Sequence, residues 1–139
     1  MYSFSNVSLQ RLGSCDIILQ EVAREAIKTC PIDFGIAEGH RSLEDQMKYF
    51  KEGKSKVDGI NQKSTHCDNP SRAFDFYCWV NGKMDYSQEA MCFVAAWILC
   101  TGKQLGMNNL RWGGNWNGDG EIITGQTLVD SPHIELKHE

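Results

Sequence analysis

The sequence lacks any apolar run near the roughly 20 residues that a membrane-spanning helix requires. Its start, Met-Tyr-Ser-Phe-Ser-Asn, lacks a basic region followed by an apolar one, so no signal peptide is expected there. Positive charge is not in excess. Fourteen Lys and Arg stand against 18 Asp and Glu, a formal net charge of −4 with both signs interspersed. A nucleic-acid binder needs a basic stripe, so that class is set aside. Internal repeats and low-complexity segments are absent. None of the six cysteines (Cys15, Cys30, Cys67, Cys78, Cys92 and Cys100) stands in a Cys-x-x-Cys pair. That argues against a thiolate zinc knuckle or a thioredoxin-type site. Without a secretion signal, reduced thiols and no disulfide are expected. Cys92 and Cys100 lie in a strongly apolar stretch and are expected to be buried as small hydrophobes.

What remains is an ordinary globular composition. The 139 residues are 41% hydrophobic and 23% charged, enough to bury a core without staples. One domain spanning residues 1–139 is expected, with no separate wall-binding domain.

Periodicity places the elements. Ile17, Ile18, Val22, Ala26 and Ile27 recur at helical spacing, with Ser14 as the expected N-cap and Pro31 as the stop. Phe34 to Glu38 reads as a short strand. Ser42 caps a second helix that Gly53 ends. Residues Lys54 to Asn69 read as loop. Ala73 to Val80 is β-favouring, Asn81-Gly82 is a hairpin turn, and a short partner strand follows. Ser87 caps a long helix to about Leu105, apolar nearly all round and expected to be the central packed helix. Leu110 to Trp112 and His133 to Leu136 read as strands. Strands and helices mix without βαβ alternation, so the fold class is α+β, a small antiparallel sheet packed against helices.

Chemistry concentrates in two fragments, Ser64-Thr-His66 to Asp75 and Asp130-Ser-Pro-His133. Catalytic zinc takes three ligands from histidine and carboxylate. His66, Asp75 and His133 supply such a set. Strand alternation points Asp75 away from Phe74 and Phe76, and puts His133 on one face with Glu135. Asp130, three residues before His133, can serve as general base. A lone histidine is more often a surface or satisfied one. His40 and His138 are read that way. Cys67 competes as a ligand, but a neighbour on extended chain faces the opposite way.

The order Ser64-Thr-His66, Ala73-Phe-Asp75-Phe76 and Asp130-Ser-Pro-His133-Ile-Glu135-Leu136 resembles the D-alanyl-D-alanine carboxypeptidase family of zinc peptidases. It is most similar to the phage L-alanyl-D-glutamate endolysins. Glu38-Gly-His-Arg41-Ser with Gln46, and Arg111-Trp-Gly-Gly-Asn-Trp116, agree as flanks. The similarity runs from about Phe34 to Leu136. It implies a hedgehog/D-Ala-D-Ala-peptidase-like fold, one Zn2+ on His66, Asp75 and His133, and Asp130 as general base. It further implies Arg41 as the cleft arginine, with Ser64 and Gln46 as hydrogen-bonding groups lining the cleft. The substrate implied is the peptidoglycan stem peptide, cut by a monomer made in the host cytoplasm and released to the cell wall. Two alternatives stand: a D-alanyl-D-alanine carboxypeptidase, and a non-catalytic wall-binding module with a structural metal.

One departure is visible. Eight residues, Cys67 to Phe74, separate His66 from Asp75, where the family usually has six. This reads as a two-residue insertion with Asn69-Pro70 as its turn, and Ser71 near the place of a family glycine. The loop Asn115 to Glu121 has the oxygen-rich look of a Ca2+ loop without the full EF-hand spacing. A plain cleft-edge loop is the preferred reading.

Overall fold

Short polar side chains open each described helix by accepting a backbone amide two or three residues on. Ser5 does so for α1 (Asn6–Leu12), Asp16 for α2 (Ile17–Thr29), Ser42 for α3 (Leu43–Lys51) and Ser87 for α4 (Gln88–Gln104). The structure is a computed structural model that describes residues 1–124 and 129–138. Two expectations change here. The cap of α2 is Asp16, not Ser14. The Ser14 hydroxyl instead donates to the Arg11 carbonyl at 2.6 Å and accepts from the His40 amide at 2.8 Å. The sequence reading also passed over α1, which has only two buried residues and little apolar signal. It rests on the first strand: Arg11 donates to the Ile36 carbonyl, and Ser8 Oγ accepts from the Ile36 amide.

The strands are β1 (Asp33–Glu38), β2 (Ala73–Val80), β3 (Lys83–Asp85), β4 (Leu110–Gly113) and β5 (Asp130–Leu136). They form one antiparallel sheet in the order β1-β2-β5-β4. β1 takes one edge of β2. β5 and β3 share the other, β5 along Ala73–Asp75 and β3 along Cys78–Val80. The β2–β3 turn has φ of 53° at Asn81 and 77° at Gly82, the two positive values a type I′ hairpin needs.

Alternation divides the sheet. Phe74, Phe76, Ile134 and Leu136 point into a core shared with Leu19, Val22 and Ala26 of α2 and Met91, Val94 and Ile98 of α4. Helix α4 is less enclosed than its composition suggested. Phe93, Ala96 and Cys100 form an outer stripe, with Phe93 stacked on Trp97. Cys100 is therefore exposed and Cys92 half-buried, and the buried thiols are Cys15, Cys30 and Cys78. All six cysteines are free.

The long connector after His66 folds back. Ser64 caps a single 3-10 turn, Thr65–Cys67. Ser71 is fully buried and pairs with the start of α2, its amide donating to the Ser14 carbonyl and its carbonyl accepting from the Asp16 amide. The Arg72 amide then donates to the Thr65 carbonyl at 3.0 Å. These bonds return the chain to β2 with His66 beside Asp75.

Candidate metal centre and cleft

Register brings the first pair together. Asp75 and His133 are cross-strand partners on β2 and β5, on the face opposite the core. His66 arrives from the 3-10 turn. Among the described residues, His66, Asp75 and His133 offer ligand atoms that all lie within 4.8 Å of one another.

Hydrogen bonds set which atoms converge. His66 Nδ1 lies 2.8 Å from the Gly39 carbonyl, which can only accept, so Nδ1 carries the hydrogen and Nε2 a lone pair. That Nε2 is 3.2 Å from Asp75 Oδ1. His133 Nε2 lies 2.7 Å from Glu135 Oε1, leaving Nδ1 3.4 Å from the same Asp75 oxygen and without a hydrogen-bond partner. Three acceptor atoms thus face one point, and a cation or a proton is required between them. With protons, burial pulls His133 down, but the carboxylates of Asp75 and Glu135 beside it overcome that and lift the ring to about 9. Burial pushes Asp75 up, and the two histidines more than offset it, holding the carboxyl far below the usual range.

A further layer braces His133. Glu135 is buried and also accepts from Arg111 Nη2 at 2.6 Å, its cross-strand partner on β4. Burial raises the Glu135 carboxyl, but His133 and Arg111 bring it below its ordinary value. Trp116 completes the stack, its ring 5.3 Å from both the Arg111 guanidinium and the His133 ring. The sequence places Arg111 and Trp116 only in a motif flank, and Glu135 inside the His133 motif without a role of its own. The cue was the shared face of His133 and Glu135 on one strand.

Asp130 opens β5 at the cleft, with Oδ2 3.8 Å from His133 Nδ1. Burial and the nearby Asp75 charge push its carboxyl up, against the pull of His133, His66 and Arg41. Gly113 lies so close to it that a Cβ there would collide with the Asp130 carbonyl oxygen.

Arg41 also lines the cleft, held by Glu38, by Gln46 Oε1 at 2.7 Å and by the Tyr49 ring beneath it. Its Nη2 is 3.9 Å from Asp75 Oδ2. Ser64 lines the cleft while its Oγ accepts from the His66 amide. Gln46 does not line it. It is fully buried behind Arg41, its Nε2 donating to Ser55 Oγ and the Val57 carbonyl, so it fastens the loop after α3. Cys67 is no competitor. The 3-10 turn, rather than extended chain, sends its thiol to the Ser42 carbonyl. His40 and His138 meet Asp68 outside the triad.

The cleft beside the triad has a volume of about 800 Å³. The Asn115–Glu121 loop borders it through Trp116. Oxygens of Asn115, Asn117 and Asp119 accept amide hydrogens of the loop itself. Nothing in this geometry adds support for calcium there.

A family model described as phage L-alanyl-D-glutamate peptidase matches residues 1–137. The L-alanyl-D-glutamate peptidase of Escherichia phage T5 is 34% identical over 140 residues, covering 97% of this chain and 98% of that protein. The crystal structure of the Serratia marcescens L-Ala D-Glu endopeptidase ChiX shares the fold, with a TM-score of 0.78 at 23% identity. That match covers 97% of this chain and 90% of the other.

Proposed function

The chain belongs to the phage L-alanyl-D-glutamate peptidase family, and from that premise we propose that it uses one zinc ion to hydrolyse the L-alanyl-D-glutamate bond of peptidoglycan stem peptides. The observation that carries the metal reading is the convergence of His66 Nε2, Asp75 Oδ1 and the partnerless His133 Nδ1. Two imidazoles and one carboxylate, with no thiolate, suit a catalytic zinc, and the outward nitrogens are fixed by Gly39 and Glu135 as ligating histidines require. When bound, such an ion polarises a carbonyl oxygen and makes water more acidic.

The protein groups do the rest. Asp130 takes the proton of the attacking water and returns it to the departing amine nitrogen of D-glutamate. Its raised carboxyl suits both halves of that transfer. Arg41, locked by Glu38 and Gln46, holds a fixed positive charge at the edge of the triad for the oxyanion that develops on the carbonyl. Ser64 offers its hydroxyl hydrogen to the peptide backbone. Relatives named for the L-Ala–D-Glu cut favour that bond over removal of a terminal D-alanine. The site of action is the cell wall, reached after release from the cytoplasm as a monomer.

Metal analysis of the purified protein and mass spectrometry of digested muropeptides test this. One zinc per chain and products ending in L-alanine are expected. An Asp130→Asn protein is expected to keep the metal and lose roughly 10²- to 10⁴-fold in kcat. Full activity in that variant would rule out the proton transfer.

A further inference from the structure

The chain carries a net charge of −4, yet the segment after α3 puts Lys54, Lys56 and Lys63 on the lining of the cleft. All three are exposed. Lys54 pairs with Glu52 at 3.1 Å, while among the described residues no ion pair involves Lys56 or Lys63. The carboxylates lining the same cleft are engaged elsewhere. Asp75 faces two histidines, Glu135 faces His133 and Arg111, Asp68 faces Arg72 and His138, and Asp130 lies beside His133. The two arginines of the cleft are matched by Glu38 and Glu135. Lys56 and Lys63 are the positive charges left without a counter-charge.

The substrate supplies one. A glutamyl residue has two carboxyl groups and only one can continue the peptide. The other stays free, on the residue whose nitrogen leaves in the cut. We infer that Lys56 and Lys63 form a subsite for this free carboxylate on the leaving side of the scissile bond, an inference that rests on the peptidase reading above. A lysine ammonium is a point charge on a flexible stem and needs no fixed approach angle. Because both side chains are exposed, the attraction is modest and screened by salt. It contributes to binding and selection rather than to the chemical step.

Two short peptides test this, one with the side carboxylate of D-glutamate free and one with it amidated. They are compared as substrates of the zinc-loaded wild type, Lys56→Gln, Lys63→Gln and the double variant. Lys51→Gln, on α3 and outside the cleft lining, is the control. The wild type is expected to prefer the free acid by roughly threefold per lysine, about tenfold together, at low ionic strength. The preference should reside in KM, shrink as salt approaches about 1 M, vanish in the double variant and survive in Lys51→Gln. A free-acid preference that persists in the double variant, or is absent from the wild type, overturns the assignment. Calorimetric binding of both peptides to the Asp130→Asn protein reads the same preference without turnover. Carboxylate selectivity there, with no cleavage by the wild type, would count against the peptidase reading alone.

Discussion

Strands β2 and β5 have two faces, one closed over by helices and one turned to the cleft, and they are expected to tolerate change very differently. On one, Phe74, Phe76, Ile134 and Leu136 are almost completely buried and held by contact alone. On the other, His133 and Glu135 are buried to nearly the same extent, but their polar atoms meet specific groups: His133 Nε2 meets Glu135, Glu135 also meets Arg111, and His133 Nδ1 is turned to Asp75 without a hydrogen bond. Dispersion and water exclusion have no direction, so the first face accepts another side chain of similar volume. Hydrogen bonds and ligation do have direction, so the second face accepts almost none. Both come from the same period of two.

Substitution on each face separates them. The largest effect is expected from His133→Ala or from chelation of the wild type. Either should abolish hydrolysis, and zinc should restore only the chelated wild type, as followed by muropeptide release. Next comes Phe76→Ala, which is expected to cost about 3–5 kcal/mol in urea unfolding. The molecules still folded should keep their zinc affinity, and a Phe76→Leu change should cost far less. If Phe76→Ala instead loses metal before it loses structure, the two faces are not independent. Glu135→Gln sharpens the contrast from the polar side. The change keeps shape and removes only charge, and is expected to weaken zinc binding by roughly 10- to 100-fold in a competition titration. The smallest effect concerns the thiols. Burial pushes Cys15 to about 11 and Cys78 to about 12, so little thiolate exists at neutral pH. Iodoacetamide is expected to label exposed Cys100 first and to spare those two until the protein unfolds, with little change in activity, as peptide mapping would record.

Much of this arrangement could be read from the residues in order. Alternation through Ala73–Val80 and His133–Leu136 already separates the candidate ligands from the core, because a strand's period is independent of what packs against it. The triad followed from residue types and a family likeness. What escaped was set by partners distant in sequence. Gln46 looked like a cleft group, but its burial depends on Ser55 and Val57 folding over it. Cys100 looked like core, but the outer side of α4 receives no covering element among the described residues. The short α1 had too few apolar residues to register, and it stands because Ile36 bonds to it through both backbone groups. The support of His133 by Arg111 required knowing that β4 lies beside β5.

The position of β5 in the sheet has a consequence for biosynthesis. It comes last among the described strands, yet it sits between β2 and β4. A nascent chain that has not reached it holds neither His133 nor Asp130, and β4 has no neighbour to pair with. On the proposed mechanism, a chain that stops short of this strand therefore lacks both a metal ligand and the general base, and hydrolysis waits until β5 is paired between β2 and β4.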